Sequence, residues 1–377
     1  MILLLTLIAI IYWIRSCIFF FGARTAAHPP RTKGYQPRIS VVVAVRNEEG
    51  NIGRCIQSLA AQDYPRDKFE IIVMNDGSTD GSAAEIAAEI AKKGESRPMI
   101  KVFPVREETT HLRGKALVIT QGFEYATGEV LVTTDADCTV LPTWLSTIGS
   151  YYEPETASIG GEIPQTGIVA GFTVQTWNSV FSAVQSIDWM YLMTLASAGI
   201  GLGKPLGCIG NNLSFRKSAY KSVGGYRGIP FSVTEDLAIL AAITGNPRWK
   251  CKYPRNGEMI VWSAPCPDVA TLWAQKRRWA QGGKKLGAAG YVILAVSALM
   301  NLAIVYSLVT LSWAPLCGLL AARWIADFFI VIPTIREFRC MNILKYFMLY
   351  EVYALIYESA LPFSLLNKKI AWKGRTF

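Results

Sequence analysis

The chain has 377 residues, of which 51% are hydrophobic and only 18% charged, and its mean hydropathy is +0.27. Soluble chains carry about 25% charged residues, so an ordinary cytosolic protein is excluded, as are disordered, collagen-like and disulfide-built chains. The net charge of +10 would suit nucleic acid, an anionic membrane or a phosphorylated substrate, but much of it (Arg336, Arg339, Lys345, Lys368, Lys369, Lys373 and Arg375 against three Glu) flanks apolar runs. That is the bias of cytoplasmic membrane flanks, and no nucleic-acid fold signature accompanies it, so no nucleic-acid partner is expected. The eight cysteines show no CxxC and no metal-ligand spacing, as for small buried hydrophobes in a reducing compartment.

In chain order, residues 1–23 read as a transmembrane helix, since the first 21 are apolar except for Arg15 and Ser16. A cleaved signal peptide would need a basic stretch before the apolar core and a small-residue cleavage site after it. The basic residues Arg24, Arg31, Lys33 and Arg38 follow the apolar start instead, which places the amino terminus outside and the next domain in the cytoplasm.

Residues 37–285 have the composition of an α/β domain. The runs 39–45, 69–74, 100–105 and 130–134 are short, β-branched and apolar, as strands buried on both faces of a parallel sheet should be. Helix-like stretches such as 51–61 and 83–92 lie between them, the pattern of a doubly wound sheet whose ligands bind beyond the carboxyl ends of the strands. The stretch 168–203 is long, apolar and aromatic, with a single charge at Asp188; it reads either as a buried core helix or as interfacial helices with an apolar face in lipid.

After Lys285 the chain is apolar again. Residues 286–366 read as carboxyl-terminal transmembrane or re-entrant helices: two crossings up to residue 335, with a turn expected at Trp313-Ala314-Pro315, then a third run, 346–366. That run carries Glu351 and Glu358 on one helical face, and carboxylates at membrane depth face protein or water. A basic tail, 367–377, completes the chain.

Polar residues follow the strand ends. Arg46-Asn47-Glu48-Glu49 comes after the first, and Asn75-Asp76-Gly77-Ser78-Thr79-Asp80-Gly81-Ser82 after the second. The latter reads as a turn and helix cap, or as a carboxylate accepting from the imide N–H of a pyrimidine. The fourth strand runs into Asp135-Ala136-Asp137, whose two carboxylates point the same way from an extended chain and could face a hard divalent ion. Thr234-Glu235-Asp236 marks a helix start. Gln275, Arg278 and Trp279 share one helical face, offering an amide, a guanidinium fork and an indole, or simply a basic membrane-proximal helix with a Trp anchor.

Together with Gly114-Lys115-Ala116, Gly210-Asn211-Asn212, Phe215-Arg216-Lys217 and Gly224-Gly225-Tyr226, this ordered set resembles the family 2 glycosyltransferases of GT-A fold over roughly residues 38–285. The membrane-flanked layout is similar to the branch holding hyaluronan, chitin and poly-N-acetylglucosamine synthases and lipid enzymes such as ceramide glucosyltransferase. The resemblance implies a Rossmann-like, mostly parallel α/β sheet flanked by transmembrane helices. It also implies that Glu48 and Asp76 contact the uracil and ribose of a UDP-sugar, that Lys115 and Asp135 lie along the nucleotide, and that Asp137 ligates Mn²⁺ or Mg²⁺. Asp236 would be the general base, with Gln275, Arg278 and Trp279 (the QxxRW motif) holding the diphosphate and the acceptor end. The activity implied is inverting sugar transfer to a membrane lipid, or to a growing polysaccharide, at the cytoplasmic face of a bacterial inner membrane. The small number of apolar spans favours the lipid, and the end Trp372-Lys373-Gly374-Arg375 resembles lipid-directed members. A sugar-1-phosphate nucleotidyltransferase would need a Gly-rich basic loop after the first strand, where this chain is acidic. A non-catalytic membrane scaffold is disfavoured by the intact carboxylates.

Overall fold

The computed structural model describes residues 1–92, 98–155, 164–283, 287–364, 371–372 and 375–376. In chain order they begin with α1 (Ile2–Ala27), β1 (Ile39–Val45), α2 (Ile52–Ala60), β2 (Phe69–Asn75), α3 (Ser82–Ala91), β3 (Met99–Pro104), α4 (Gly114–Tyr125) and β4 (Val130–Asp135). There follow β5 (Cys138–Val140), α5 (Trp144–Ser150), β6 (Gln165–Ala170), β7 (Thr173–Gln175), α6 (Val180–Gly201), β8 (Leu213–Arg216), α7 (Lys217–Ser222) and α8 (Glu235–Thr244). The last elements are β9 (Trp249–Lys252), β10 (Val261–Ser263), α9 (Val269–Gly283), α10 (Ala288–Val309), α11 (Trp313–Glu337) and α12 (Phe347–Ser364). The chain divides into two units, Ala26–Val174 with Gly207–Ala264, and Met1–Thr25 with Gln175–Leu206 and Pro265–Phe377.

The first unit is built on a seven-stranded sheet in the order β3-β2-β1-β4-β8-β6-β9. The pairs β2–β3, β1–β2 and β1–β4 are parallel, whereas β8 runs antiparallel to both β4 and β6. Val41, Val43, Ile71, Val73 and Val132 are fully buried, which is why these strands read as continuous β-branched runs with no polar alternation. Helix α2 covers them with Ile52, Cys55, Ile56 and Leu59, a stripe of spacing 3, 4 and 7. Helix α4 comes closer still: a Cβ on Gly122 would lie 2.4 Å from Val42 Cγ1, so only glycine permits that approach. Register does the rest, since Val45 pairs with Asn75 and Ala44 with Asp135. The ends of β1, β2 and β4 thus line up, and their following loops emerge along one edge of the sheet.

The second unit is helical. Helices α1, α10 and α11 are long and apolar enough to cross a membrane. They share a core of Leu5, Tyr12, Met300, Ala303, Ile304, Leu316, Leu319 and Ala326, while Leu3, Leu7, Ile14, Leu302, Val309 and Phe329 stay exposed. An exposed apolar area of that extent marks a surface meant for lipid or protein.

The stretch 168–203 is not one helical segment: Ile168–Ala170 belongs to β6, β7 follows, and the helix starts at Val180 behind a Ser179–Ser182 capping box. Of the two readings of that stretch, α6 fits the buried core helix and not the interfacial one, because most of its residues from Ser182 to Met193 are buried, against α11 and α12. The turn expected at Trp313–Pro315 lies three residues earlier, at Thr310–Ser312, where Leu311 adopts φ +54; Pro315 sits in the first turn of α11, where a missing N–H costs nothing. Glu351 and Glu358 do face protein: both ion-pair with Arg323, at 3.2 and 3.1 Å. The expected boundary at Lys285–Leu286 and the tail residues Lys368, Lys369, Lys373 and Gly374 lie outside the described residues.

Candidate active site

The loops after β1 and β2 fold as one. Asn47, at φ +52, accepts from the Thr79 N–H at 2.9 Å and donates its own N–H to Ser78 Oγ at 3.2 Å. The Glu48 N–H donates to Ser82 Oγ, the Glu49 N–H to Asp80 Oδ2, and the Gly81 N–H to Glu49 Oε2, all within 3.0 Å. Arg46 Nη1 donates to the Asp76 carbonyl at 2.8 Å and lies 3.6 Å from Asp76 Oδ2, and Glu48 Oε2 accepts from Asn51 Nδ2 at 3.1 Å. Glu48 and Asp76 are therefore held by one laced pair of loops, Asp76 buried and Glu48 half-buried. The Arg46–Asp76 pair was not foreseen, because opposite charges 30 residues apart carry no sequence signal until the strands are aligned.

At the end of β4, Lys115 reaches from the first turn of α4 to within 2.5 Å of Asp135 Oδ1 and 3.9 Å of Glu235 Oε1. Burial alone would lower the Lys115 ammonium, but Asp135, Glu235 and Asp236 outweigh it and lift it above the ordinary lysine value, so it is a fixed cation. Asp236 lies in the first turn of α8, where the helix dipole favours a carboxylate. Its Oδ2 accepts from the Gly210 N–H at 3.0 Å and its Oδ1 from the Leu237 N–H at 2.8 Å. Gly210 is held in turn by Thr133 Oγ1, which donates to its carbonyl at 2.7 Å. A Cβ on Gly210 would meet Lys115 Nζ at 3.4 Å and Asp236 Oδ2 at 3.5 Å, so the bare glycine leaves space between cation and carboxylate. Lys115, Asp135, Glu235, Gly210 and Asp236 thus form one cluster, of which Glu235 was not singled out from the sequence.

Asn211 and Asn212 turn out to be internal bolts. Asn212 accepts from Trp144 Nε1 and donates to the carbonyls of Phe172 and Met259, using the whole amide, while Asn211 Oδ1 accepts from Thr173 Oγ1.

Asp137 follows two residues after Asp135, and its Oδ1 accepts from Cys138 Sγ at 3.4 Å. Beneath the turn lie the buried Cys55 and Cys138 thiols; burial, and then the Asp137 and Asp135 carboxylates, push both up from the ordinary thiol value. Among the described residues no group of three His, Cys, Asp or Glu could cage a metal. Mg²⁺ and similar hard cations are commonly held by one or two carboxylates plus substrate phosphates. The hard oxygens of Asp137 and Asp135 fit a cation of that kind.

Gln275, Arg278 and Trp279 lie on α9, in the helical unit. There Trp279 packs against Trp189 of α6, with ring centroids 5.4 Å apart, and Gln275 Oε1 is buried with no hydrogen-bond partner among the described residues. Between them Lys276, which the motif leaves unspecified, is buried in an ion pair with Asp188.

Residues 40–224 match the model of glycosyl transferase family 2. Over 265 residues the chain is 27% identical to a beta-monoglucosyldiacylglycerol synthase of Nostoc sp., an alignment covering 69% of this chain and 52% of the relative. Over 294 residues it is 26% identical to a poly-beta-1,6-N-acetyl-D-glucosamine synthase of Staphylococcus epidermidis, covering 73% and 63%. The chain thus spans about half the length of the Nostoc relative. Among solved structures, a mannosyltransferase from Pyrobaculum calidifontis in complex with GDP-Man and Mn²⁺ superposes with a TM-score of 0.59 at 19% identity, covering 96% of this chain and 99% of that one, a likeness of fold.

Proposed function

Because residues 40–224 match the family 2 glycosyltransferase model, we propose that this chain is a glycosyltransferase that transfers a sugar from a UDP-sugar to a membrane lipid with inversion, forming a β-glycosidic bond. The observation that carries this reading is the Asp236 carboxylate, aimed by the Gly210 N–H and set beside the fixed Lys115 cation. As the acceptor hydroxyl oxygen bonds to the anomeric carbon, Asp236 takes its proton. The bond from that carbon to the diphosphate breaks, and its electron pair leaves with UDP. A single displacement inverts an α-linked donor. Glu48 and Asp76 receive the base and ribose, while Lys115 and Asp135 lie along the nucleotide. Mn²⁺ or Mg²⁺, bound through Asp137, would offset charge on the departing diphosphate. Gln275, Arg278 and Trp279 hold the diphosphate and the acceptor end.

The Nostoc relative's name, a synthase of glucosyldiacylglycerol, supports a lipid acceptor. So do the exposed apolar faces of α1, α10 and α11, a role that α6 does not share. With the amino terminus outside, those three helices as crossings and α12 as a re-entrant element, the catalytic domain and the basic tail both lie on the cytoplasmic side of a bacterial inner membrane. The Staphylococcus relative favours a second reading, processive synthesis of a polysaccharide.

Purified full-length protein should be incubated with diacylglycerol in mixed micelles and, separately, UDP-glucose, UDP-N-acetylglucosamine and GDP-mannose, and the products weighed by mass spectrometry. A lipid bearing one or very few sugars from a UDP donor is expected. Long polymer made without added lipid establishes the second reading, and transfer from GDP-mannose alone overturns the donor.

A further inference from the structure

We infer that Asp188 on α6 and Lys276 on α9 are a positioning pair, setting the rotation and register of the helix that carries Gln275, Arg278 and Trp279. The inference rests on the proposed role of those three residues. Asp188 is the one charge between residues 168 and 203, and a buried carboxylate is retained at a cost unless something pairs with it. Its partner is Lys276: the two side chains are ion-paired, with Asp188 3% and Lys276 1% exposed.

The surroundings of the ammonium show what the pair fixes. Lys276 Nζ lies 4.8 Å from the ring centroid of Trp279, one turn along α9, and 4.9 Å from that of Tyr357 on α12. Three helices therefore meet at one cation, with two aromatic faces turned toward it. Trp279 in turn packs on Trp189, the neighbour of Asp188, so consecutive residues of α6 grip α9 at two points one turn apart. Helix α6 is itself anchored: the Tyr191 hydroxyl donates to Asp327 Oδ1 at 2.9 Å and accepts from Arg15 Nη2 at 3.1 Å.

Apolar packing alone leaves a helix free to slip or rotate among near-equivalent arrangements, whereas a buried ion pair is satisfied in one. Within Gln275-Lys276-Arg277-Arg278-Trp279, a merely basic surface helix would keep Lys276 in water. Here it is the most buried residue of the five.

The test uses full-length protein in detergent, with Lys276→Met, Asp188→Asn and the double variant. Three quantities are measured on whichever donor the wild type turns over: the thermal midpoint, UDP affinity, and kcat with the KM for diacylglycerol in mixed micelles. Each single variant should lose stability and activity. The neutral double variant should recover a midpoint near wild type, yet keep a kcat about 10²-fold low, the scale expected when a reacting geometry shifts by about 1 Å. Its diacylglycerol KM should rise and its UDP affinity weaken, because α9 carries the side chains proposed to hold both the diphosphate and the acceptor end. If kcat follows the midpoint through all three variants, the pair is only structural and the inference is overturned. Arg278→Ala and Trp279→Ala report separately on α9: normal transfer in both overturns the role of that helix and the inference with it, whereas lost transfer there beside unaffected pair variants overturns the inference alone.

Discussion

Replacing Asp236 by Asn keeps the volume of the side chain and removes its proton acceptor. In the native site both carboxylate oxygens accept backbone N–H groups, from Gly210 at 3.0 Å and Leu237 at 2.8 Å. An amide has one acceptor oxygen, so one of these donors would face an NH₂ group. A hydrogen bond to a charged group contributes about 1.5–3 kcal/mol, and the carboxylate in the first turn of α8 a further ~0.3–1 kcal/mol. Since part of this is recovered from water, the loss of stability should be about 2 kcal/mol, or several degrees in the thermal midpoint, and the fold should survive. The rate is a separate matter: losing a general base costs roughly 10²–10⁴ in turnover, equivalent to about 3–5 kcal/mol at the barrier. UDP affinity should be unchanged, because Glu48 and Asp76 sit on other loops. Turnover by UDP release, UDP binding by calorimetry and the thermal midpoint should be measured on one preparation. Turnover near that of wild type would assign the base elsewhere, and loss of UDP binding would make Asp236 a nucleotide ligand.

Asp137→Ala should abolish Mn²⁺- or Mg²⁺-dependent turnover, and activity that persists in excess chelator would refute the assignment. The Glu70 carboxyl is buried, which would raise it, yet the ion pair with Lys101 at 2.7 Å and hydrogen bonds from Ser40 and Thr127 hold it down to about 2. Its contribution of about 3 kcal/mol is thus present above pH ~4.5 and lost as the pH falls toward 2, so the stability gap between wild type and Glu70→Gln, followed by thermal unfolding, should close over that window. Thr79→Cys should react with a membrane-impermeant maleimide only after cells are opened, and labelling of intact cells would reverse the topology.

The parallel core was legible because a strand buried on both faces must be β-branched and apolar along its length, and because β4 runs straight into Asp135-Ala136-Asp137. Stretch 168–203 reads as one segment for the same reason: a strand of that kind and a buried helix have similar composition, and the break Gln175-Thr176-Trp177-Asn178-Ser179 between them carries no charge to mark it. The local signal was Ser179, whose side chain caps the helix with Ser182. The turn at Thr310–Ser312 had no signature, since Leu311 occupies a left-handed position where glycine is usual. The partnerships of Lys115 with Asp135 and of Lys276 with Asp188 join residues 20 and 88 apart, and spacing cannot reveal contacts that only the folded sheet and bundle create.

The place of Arg15 bears on how the protein is made. The partners of this buried guanidinium, Tyr191 and Ser297, lie 176 and 282 residues further along the chain, and Asp327 is 3.6 Å away on α11. An arginine at the middle of a spanning helix costs about 2.5–3.5 kcal/mol to insert, and α1 leaves the ribosome long before anything exists to offset it. Hydrophobicity elsewhere in α1 must carry that burden until α6, α10 and α11 have been synthesised. If α1 crosses the membrane as proposed, Arg15 meets Tyr191, Ser297 and Asp327 only after those later segments have been made. Removing α1 to obtain a more soluble protein would take away two members of a buried network, Tyr12 and Arg15, and leave Asp327 without them.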